Sequence, residues 1–138
     1  MIPEIIKGAS HTDSRGTLFY NNDFDASEVK RIYFIENANT EVIRAWQGHK
    51  IEQRWFAAVS GSFKILLIKI DNWDNPSQDL KPKTFIVTAD TLDTLHIPPG
   101  YVSSIQSLES NSKIIAMSDY LLGAIQDEHR YEPDYFMN

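Results

Sequence analysis

Residues 44–54 read RAWQGHKIEQR, which sets one imidazole, His49, between two primary amides, Gln47 and Gln53. Histidine changes charge in the physiological range, so it can take or give a proton. Gln47 and Gln53 donate and accept hydrogen bonds but take up no proton near neutral pH. If a proton moves in this stretch, His49 moves it. Arg44 and, far upstream, Arg15 offer planar guanidinium forks suited to phosphate or carboxylate. Either could instead pair with one of the 19 acidic residues. A second group lies in PPGYVSS, residues 98–104, which carries Tyr101 and Ser103. Proline fixes φ and glycine permits positive φ, so Pro98-Pro99-Gly100 can turn the chain sharply into a following strand.

Strand alternation would put Gln47, His49, Ile51 and Gln53 on one face, the inner one, unless Gly48 marks a bulge. Two amides and an imidazole are expensive to bury without partners, so a ligand-contacting cluster stands level with a hydrogen-bonded histidine that takes part in no reaction. His96, between Leu95 and Ile97, is expected to point outward, while His11 and His129 fall in segments too irregular to assign.

The elements that must position these groups read as strands. RIYFIE (31–36), EVIRAW (41–46), RWFAAV (54–59), FKILLIKI (63–70), KTFIVT (83–88), TLHIP (94–98), VSSIQSL (102–108) and KIIAMSDY (113–120) are short and rich in β-branched or aromatic residues. Turn signals such as TDSRG, ENANT, VSGS, DNWDNPS and ESNS separate them. The pattern predicts an antiparallel sandwich or barrel. DASEVK (25–30) and TADTLD predict one helical turn each, and the tail from Leu121 a short helix followed by an extended arm.

A chain of 138 residues is most simply one domain, 1–138, with a buried core. The net charge of −6 argues against nucleic acid or an anionic membrane as partner, because phosphate binding needs clustered Lys and Arg. With no cysteine, thiol nucleophiles, thiolate metal sites and disulfides are excluded. The first residues, Met1-Ile2-Pro3-Glu4, lack a basic stretch leading into an apolar run, and the expectation is a cytoplasmic protein.

In order along the chain, DSRG (13–16), RAWQGH (44–49), Gln53, VSG (59–61), IDNWDNPS (70–77), VTAD (87–90), LHIPPGY (95–101) and SDY (118–120) resemble the RmlC-like cupins. More narrowly they resemble the deoxythymidine-diphosphate-sugar 3,5-epimerases and 3,4-ketoisomerases of cell-surface polysaccharide synthesis. RAWQGHK is similar to the ketoisomerase pattern Arg-Gly-Trp-His-x-His-Lys. The resemblance implies an all-β, single-domain cupin, a double-stranded β-helix or jelly-roll barrel with a short C-terminal arm. It implies a homodimer acting on a nucleotide-sugar by proton transfer beside a ketone, an isomerase without metal or other cofactor.

The first histidine of that pattern, commonly the base, is Gln47 here, and Ser103 stands where a further histidine follows Pro-x-Gly. Gln47, His49, Gln53 and Ser103 together make a poor metal site, since one imidazole, two neutral amides and a hydroxyl compete weakly with water. His49 is then the proton shuttle. A phenol to protonate the enolate would come from Tyr33, Tyr101 or Tyr120, with Tyr120 taken as the candidate. Arg44, Arg15, Gln47, Gln53, Trp46, Tyr101 and Ser103 would contact the substrate, with Trp73 a further ring for a thymine. Asn72 and Trp73 replace a basic residue that would meet the diphosphate. The alternative is a catalytically inactive cupin that binds a sugar or sugar nucleotide, and a purely structural module would need a filled barrel.

Overall fold

The structure, a computed structural model, describes residues 1–136, so the last two residues of the expected arm lie outside the described residues. The strands are β1 (Glu4–Ile6), β2 (Ala9–Asp13), β3 (Gly16–Tyr20), β4 (Arg31–Ile35), β5 (Ile43–His49) and β6 (Arg54–Ser60). They continue with β7 (Ser62–Lys69), β8 (Lys83–Thr88), β9 (Thr94–Ile97), β10 (Tyr101–Ser107), β11 (Lys113–Ser118) and β12 (His129–Arg130).

Pairing is nested around one hairpin. β7 pairs with β8, β6 with β9, β5 with β10 and β4 with β11, all antiparallel. Successive pairs fall alternately in two sheets, ordered β1-β9-β6-β11-β4 and β12-β5-β10-β7-β8. A long hairpin rolled up in this way is a jelly-roll barrel, as the strand spacing predicts.

Alternation along each strand sorts the interior. Phe63, Ile65 and Leu67 of β7, Leu95 and Ile97 of β9, Ile105 of β10 and Ile114 and Ala116 of β11 form one buried apolar cluster with Phe56, Ala58 and Val87. That cluster fills the barrel's closed part. Further along the same strands the buried positions turn polar, with Arg54 on β6, Ser118 on β11 and His49 at the end of β5. The β6–β7 turn needs Gly61 twice over. Its φ is 68°, and a Cβ there would collide with Ser112.

Differences from the sequence expectation concern local elements. No helix forms among the described residues. Asp25 accepts from the Ser27 amide at 2.9 Å, closing a turn rather than capping a helix, because β4 begins at Arg31 before a second turn can form. The C-terminal segment is irregular apart from β12, which adds to β5. Strands β1, β2 and β3 carry little apolar alternation and are unmarked in the sequence. Among the described residues no helix is long and apolar enough to cross a membrane.

Candidate functional site

Between β5 and β10 the register slips: Ser103 opposes Gln47, yet Ile105 opposes Arg44. β5 therefore spends one extra residue at Ala45–Trp46, a bulge that resets which side chains face inward. Gly48, the position suspected of that role, is regular in register and serves another purpose. A Cβ there would overlap the Tyr101 carbonyl and sit 2.6 Å from Val102 Cα, so only glycine lets β5 and β10 approach.

β5 ends at His49, and residues 50–53 turn the chain into β6. The expected shared face of residues 47, 49, 51 and 53 is therefore corrected. Ile51 is half exposed, and Gln53 turns to the outside of the sheet, lining neither cavity described below. There its amide donates to Asp119 Oδ2 at 3.0 Å and Glu28 Oε2 at 3.3 Å, and its Oε1 lies 2.7 Å from His96 Nε2. His96 points away from the core, as its neighbours predict, but is buried by stacking on Trp55 with 5.3 Å between ring centroids.

His49 is the buried imidazole of the site. Its Nδ1 lies 2.9 Å from the main-chain oxygen of Asp127, which can only accept, so Nδ1 carries the hydrogen and Nε2 the lone pair. Burial pushes its pKa below the ordinary 6.5 and the nearby Arg54 adds to this, outweighing the Asp127 carbonyl and the Glu52 and Asp127 carboxylates. At neutral pH His49 is therefore a neutral base with Nε2 free among the described residues.

Around it runs a chain of hydrogen bonds. Ser118 Oγ donates to Glu52 Oε1 at 2.6 Å, and Arg54 Nη2 donates to the same oxygen at 3.2 Å. Arg54 Nη1 donates to the Tyr33 hydroxyl at 2.8 Å, leaving the phenolic hydrogen to point elsewhere. Glu52 Oε2 is 3.4 Å from His49 Nδ1. The Arg31 guanidinium lies 4.6 Å above the Tyr33 ring.

These groups line two confluent cavities. The larger, about 810 Å³, is bounded by Tyr33, Gln47, His49, Tyr101 and Ser103, with Arg31, Arg44, Arg54 and Arg130 among its walls. The other, about 620 Å³, shares Arg31, Tyr33, Gln47, His49 and Arg54 and adds Glu52, Tyr120, Asp127 and Glu128. The barrel is thus not filled by its own side chains. Four arginines in one cavity of a chain with net charge −6 make a local basic site.

Arg44 Nε donates to Asn37 Oδ1 at 2.7 Å, and its terminal nitrogens have no partner among the described residues. Trp46 borders the cavity but is buried against Phe136, 5.3 Å between centroids, with Nε1 donating to Pro133 O. Ser103 Oγ donates to Gln47 O at 3.3 Å. Tyr120 stands on the smaller cavity's wall. Arg15 is elsewhere: it sits in the β2–β3 turn, largely exposed and paired with Asp13 at 2.7 Å, because the tight turn brings the two side chains together.

Sequence reading missed the C-terminal segment's part in the site. Asp127 is almost fully buried, and its carboxylate accepts the amides of Lys50 at 3.0 Å and of Ile51 and Glu52 at 2.8 Å each. Gln47 Nε2 donates to Glu128 Oε1. Tyr131 pairs with Trp46 through both main-chain groups, and its hydroxyl donates to Trp73 O at 2.6 Å. The signal was the density of acidic and aromatic residues in DEHRYEPDYF; nothing in the sequence says which strand such an arm pairs with.

His49, Glu52 and Asp127 bring possible metal-ligand atoms within 4.8 Å of one another. On the loop side the three are already hydrogen-bonded: His49 Nδ1 bears hydrogen, the Asp127 carboxylate accepts three amides, and Glu52 accepts from Ser118 and Arg54, which leaves only His49 Nε2 open. The donor set does not fit a metal without dismantling the loop.

No protein-family model matches the chain, and no curated protein matches it. Among solved structures, a 3,4-ketoisomerase from Helicobacter canadensis superposes with a TM-score of 0.72 at 18% identity, covering 99% of this chain and 96% of that one. A mutant 3,4-ketoisomerase from Thermoanaerobacterium thermosaccharolyticum in complex with TDP-4-keto-6-deoxyglucose gives 0.71 at 21%, covering 97% and 91%. An rmlC epimerase from Mycobacterium tuberculosis gives 0.71 at 16%, covering 93% and 68%. Likeness of this extent across so much of each chain is one of fold.

Proposed function

We propose that this chain, an RmlC-like cupin by fold, is a metal-independent isomerase of nucleotide-linked 4-keto-6-deoxysugars, a 3,4-ketoisomerase or epimerase. The observation that carries the reading is His49, held neutral with Nε2 open to a cavity that also holds Tyr33 and four arginines. The structural neighbours named as ketoisomerases and epimerases, one in complex with a TDP-sugar, support the same chemistry.

In this reading His49 Nε2 takes the proton from the carbon beside the ketone. The C–H pair becomes a C=C bond and the carbonyl π pair moves to oxygen, where the Tyr33 hydroxyl donates. In a ketoisomerase the imidazolium then returns the proton to the neighbouring carbon; in an epimerase the opposite face is reprotonated from solvent. Tyr33 is preferred to Tyr120 as the acid because Arg54 fixes its oxygen inside the shared cavity. Arg31, Arg44 and Arg130 meet the diphosphate in place of the basic residue lost at Asn72 and Trp73. Tyr101 and Ser103 line the same wall and contact the substrate.

Incubation with 4-keto-6-deoxysugar nucleotides in D2O, followed by proton NMR, tests this. Deuterium should enter at C3 or C5, and His49→Asn should abolish its entry. Equal exchange in His49→Asn would refute the assignment. Line broadening on binding with no exchange would instead mark an inactive binding protein.

The homodimer belongs to the same reading. Ile32 and Phe34 of the edge strand β4 are about two-thirds exposed, as is Leu18 of the β2–β3 hairpin, which is apolar surface suited to a second copy. Sedimentation at the mass of one chain would refute it.

A further inference from the structure

Migration of a ketone to the neighbouring carbon requires four proton movements, and the groups described so far account for three. His49 takes the proton from one carbon and returns it to the other, and Tyr33 serves the oxygen of the old ketone. The hydroxyl on the first carbon must also lose its proton as it becomes the new ketone. Gln47 cannot accept it.

Resting on the ketoisomerase form of the reading above, we propose that Glu128 is a catalytic base that takes this hydroxyl proton. Three carboxylates line the smaller cavity, those of Glu52, Asp127 and Glu128. Asp127 is spent on three amides, and Glu52 is held by Ser118 and Arg54 with its other oxygen against His49. In Glu128, Gln47 Nε2 and Arg130 Nη2 both donate to Oε1, the latter at 3.0 Å. Oε2 has no partner among the described residues and is free to accept.

The placement is rigid although the side chain is half exposed. The peptide carrying Glu128 follows Asp127, whose carboxylate and main-chain oxygen tie it to residues 49–52. On its other side Arg130 pairs in register with Gln47. His49 and Glu128 are thus fixed to one another through a single peptide, and Gln47 acts by orienting the carboxylate.

The step balances. As Oε2 takes the hydroxyl proton, the O–H pair becomes the new C=O bond, and the C=C pair takes the proton held by His49. Tyr33 gives its proton to the old ketone oxygen and regains one from the Glu128 carboxylic acid through solvent.

A carboxylate in this role separates two signals that a structural role would not. Glu128→Gln should bind the sugar nucleotide with unchanged affinity and exchange the C3 proton for deuterium near the wild-type rate. It should form 3-keto product on the order of 100-fold more slowly. Added formate should restore part of the rate to Glu128→Ala and none to His49→Asn. Product formation by Glu128→Gln at the wild-type rate overturns the proposal. So does joint loss of exchange and affinity, which marks a merely positional residue. A wild-type protein that neither exchanges nor isomerises overturns the isomerase reading itself, a failure seen before any variant is made.

Discussion

His49 Nδ1 and the main-chain oxygen of Asp127 lie 2.9 Å apart, across 78 residues of sequence. The C-terminal segment, not the barrel, chooses the tautomer of the histidine. Removing the Asp127 side chain should loosen that choice. Three amides lose a charged acceptor inside the protein, so Asp127→Ala should cost about 3 kcal/mol in urea unfolding. A loss below about 1 kcal/mol would mean that water replaces the carboxylate.

The acid limb of the rate profile should lie below pH 6.5, because burial and then Arg54 lower the His49 pKa and only the neutral ring is a base. Arg54→Gln removes the second of these causes, so the limb should move to higher pH. An unmoved limb in kcat/KM would exclude His49 as the titrating group.

His96 provides a stability signature. Its folded pKa is lowered, chiefly by burial, against the opposing pull of Glu4, Glu28 and Asp119, while the unfolded chain titrates near 6.5. The unfolded state therefore binds the proton more readily. Stability is fully present above pH 6.5 and declines as the pH falls through the window beneath it. Thermal melting between pH 7.5 and 5 should show this slope, flatter in His96→Gln and with a remainder from His49. An equal slope in the variant would assign the effect elsewhere.

Gly48→Ala should be among the most damaging small substitutions, at about 3 kcal/mol, since the new methyl meets main chain that cannot yield. Denaturant midpoints for Gly48→Ala and Gly100→Ala make a direct comparison. Gly100 has a φ of 104° but open space around its Cα, so it pays only backbone strain.

Phe136→Ala should loosen the arm through Trp46, lowering stability by about 3 kcal/mol and weakening sugar-nucleotide binding together. Phe63→Ala, at the closed end, should cost a similar amount while leaving affinity intact. Calorimetric titration of both separates the two ends of the barrel.

The barrel was legible because its strands carry the alternation that burial of one face demands: β4 to β11 fall within three residues of RIYFIE through KIIAMSDY. His49, Gln47, Arg44 and Tyr101, singled out by residue type and by the resemblance, come to one cavity because β5 and β10 pair. Tyr33 was visible only as one of several phenols, its distinction being a bond to Arg54 that no spacing reveals. Gln53 was misplaced because alternation was carried past the end of β5 into a turn. Asp127, Glu128 and Arg130 went unseen, as an irregular arm obeys no period and its partners lie some eighty residues away.

The nesting of the strand pairs also sets an order in time. The β7–β8 hairpin closes the shortest loop, and each pair outward, β6–β9, β5–β10 and β4–β11, closes a longer one at greater entropic cost. The arm that fixes His49 joins β5 from beyond them all. The barrel strands can thus pair while the His49 ring is still free to turn, and the segment around Asp127 locks it once β12 has joined β5.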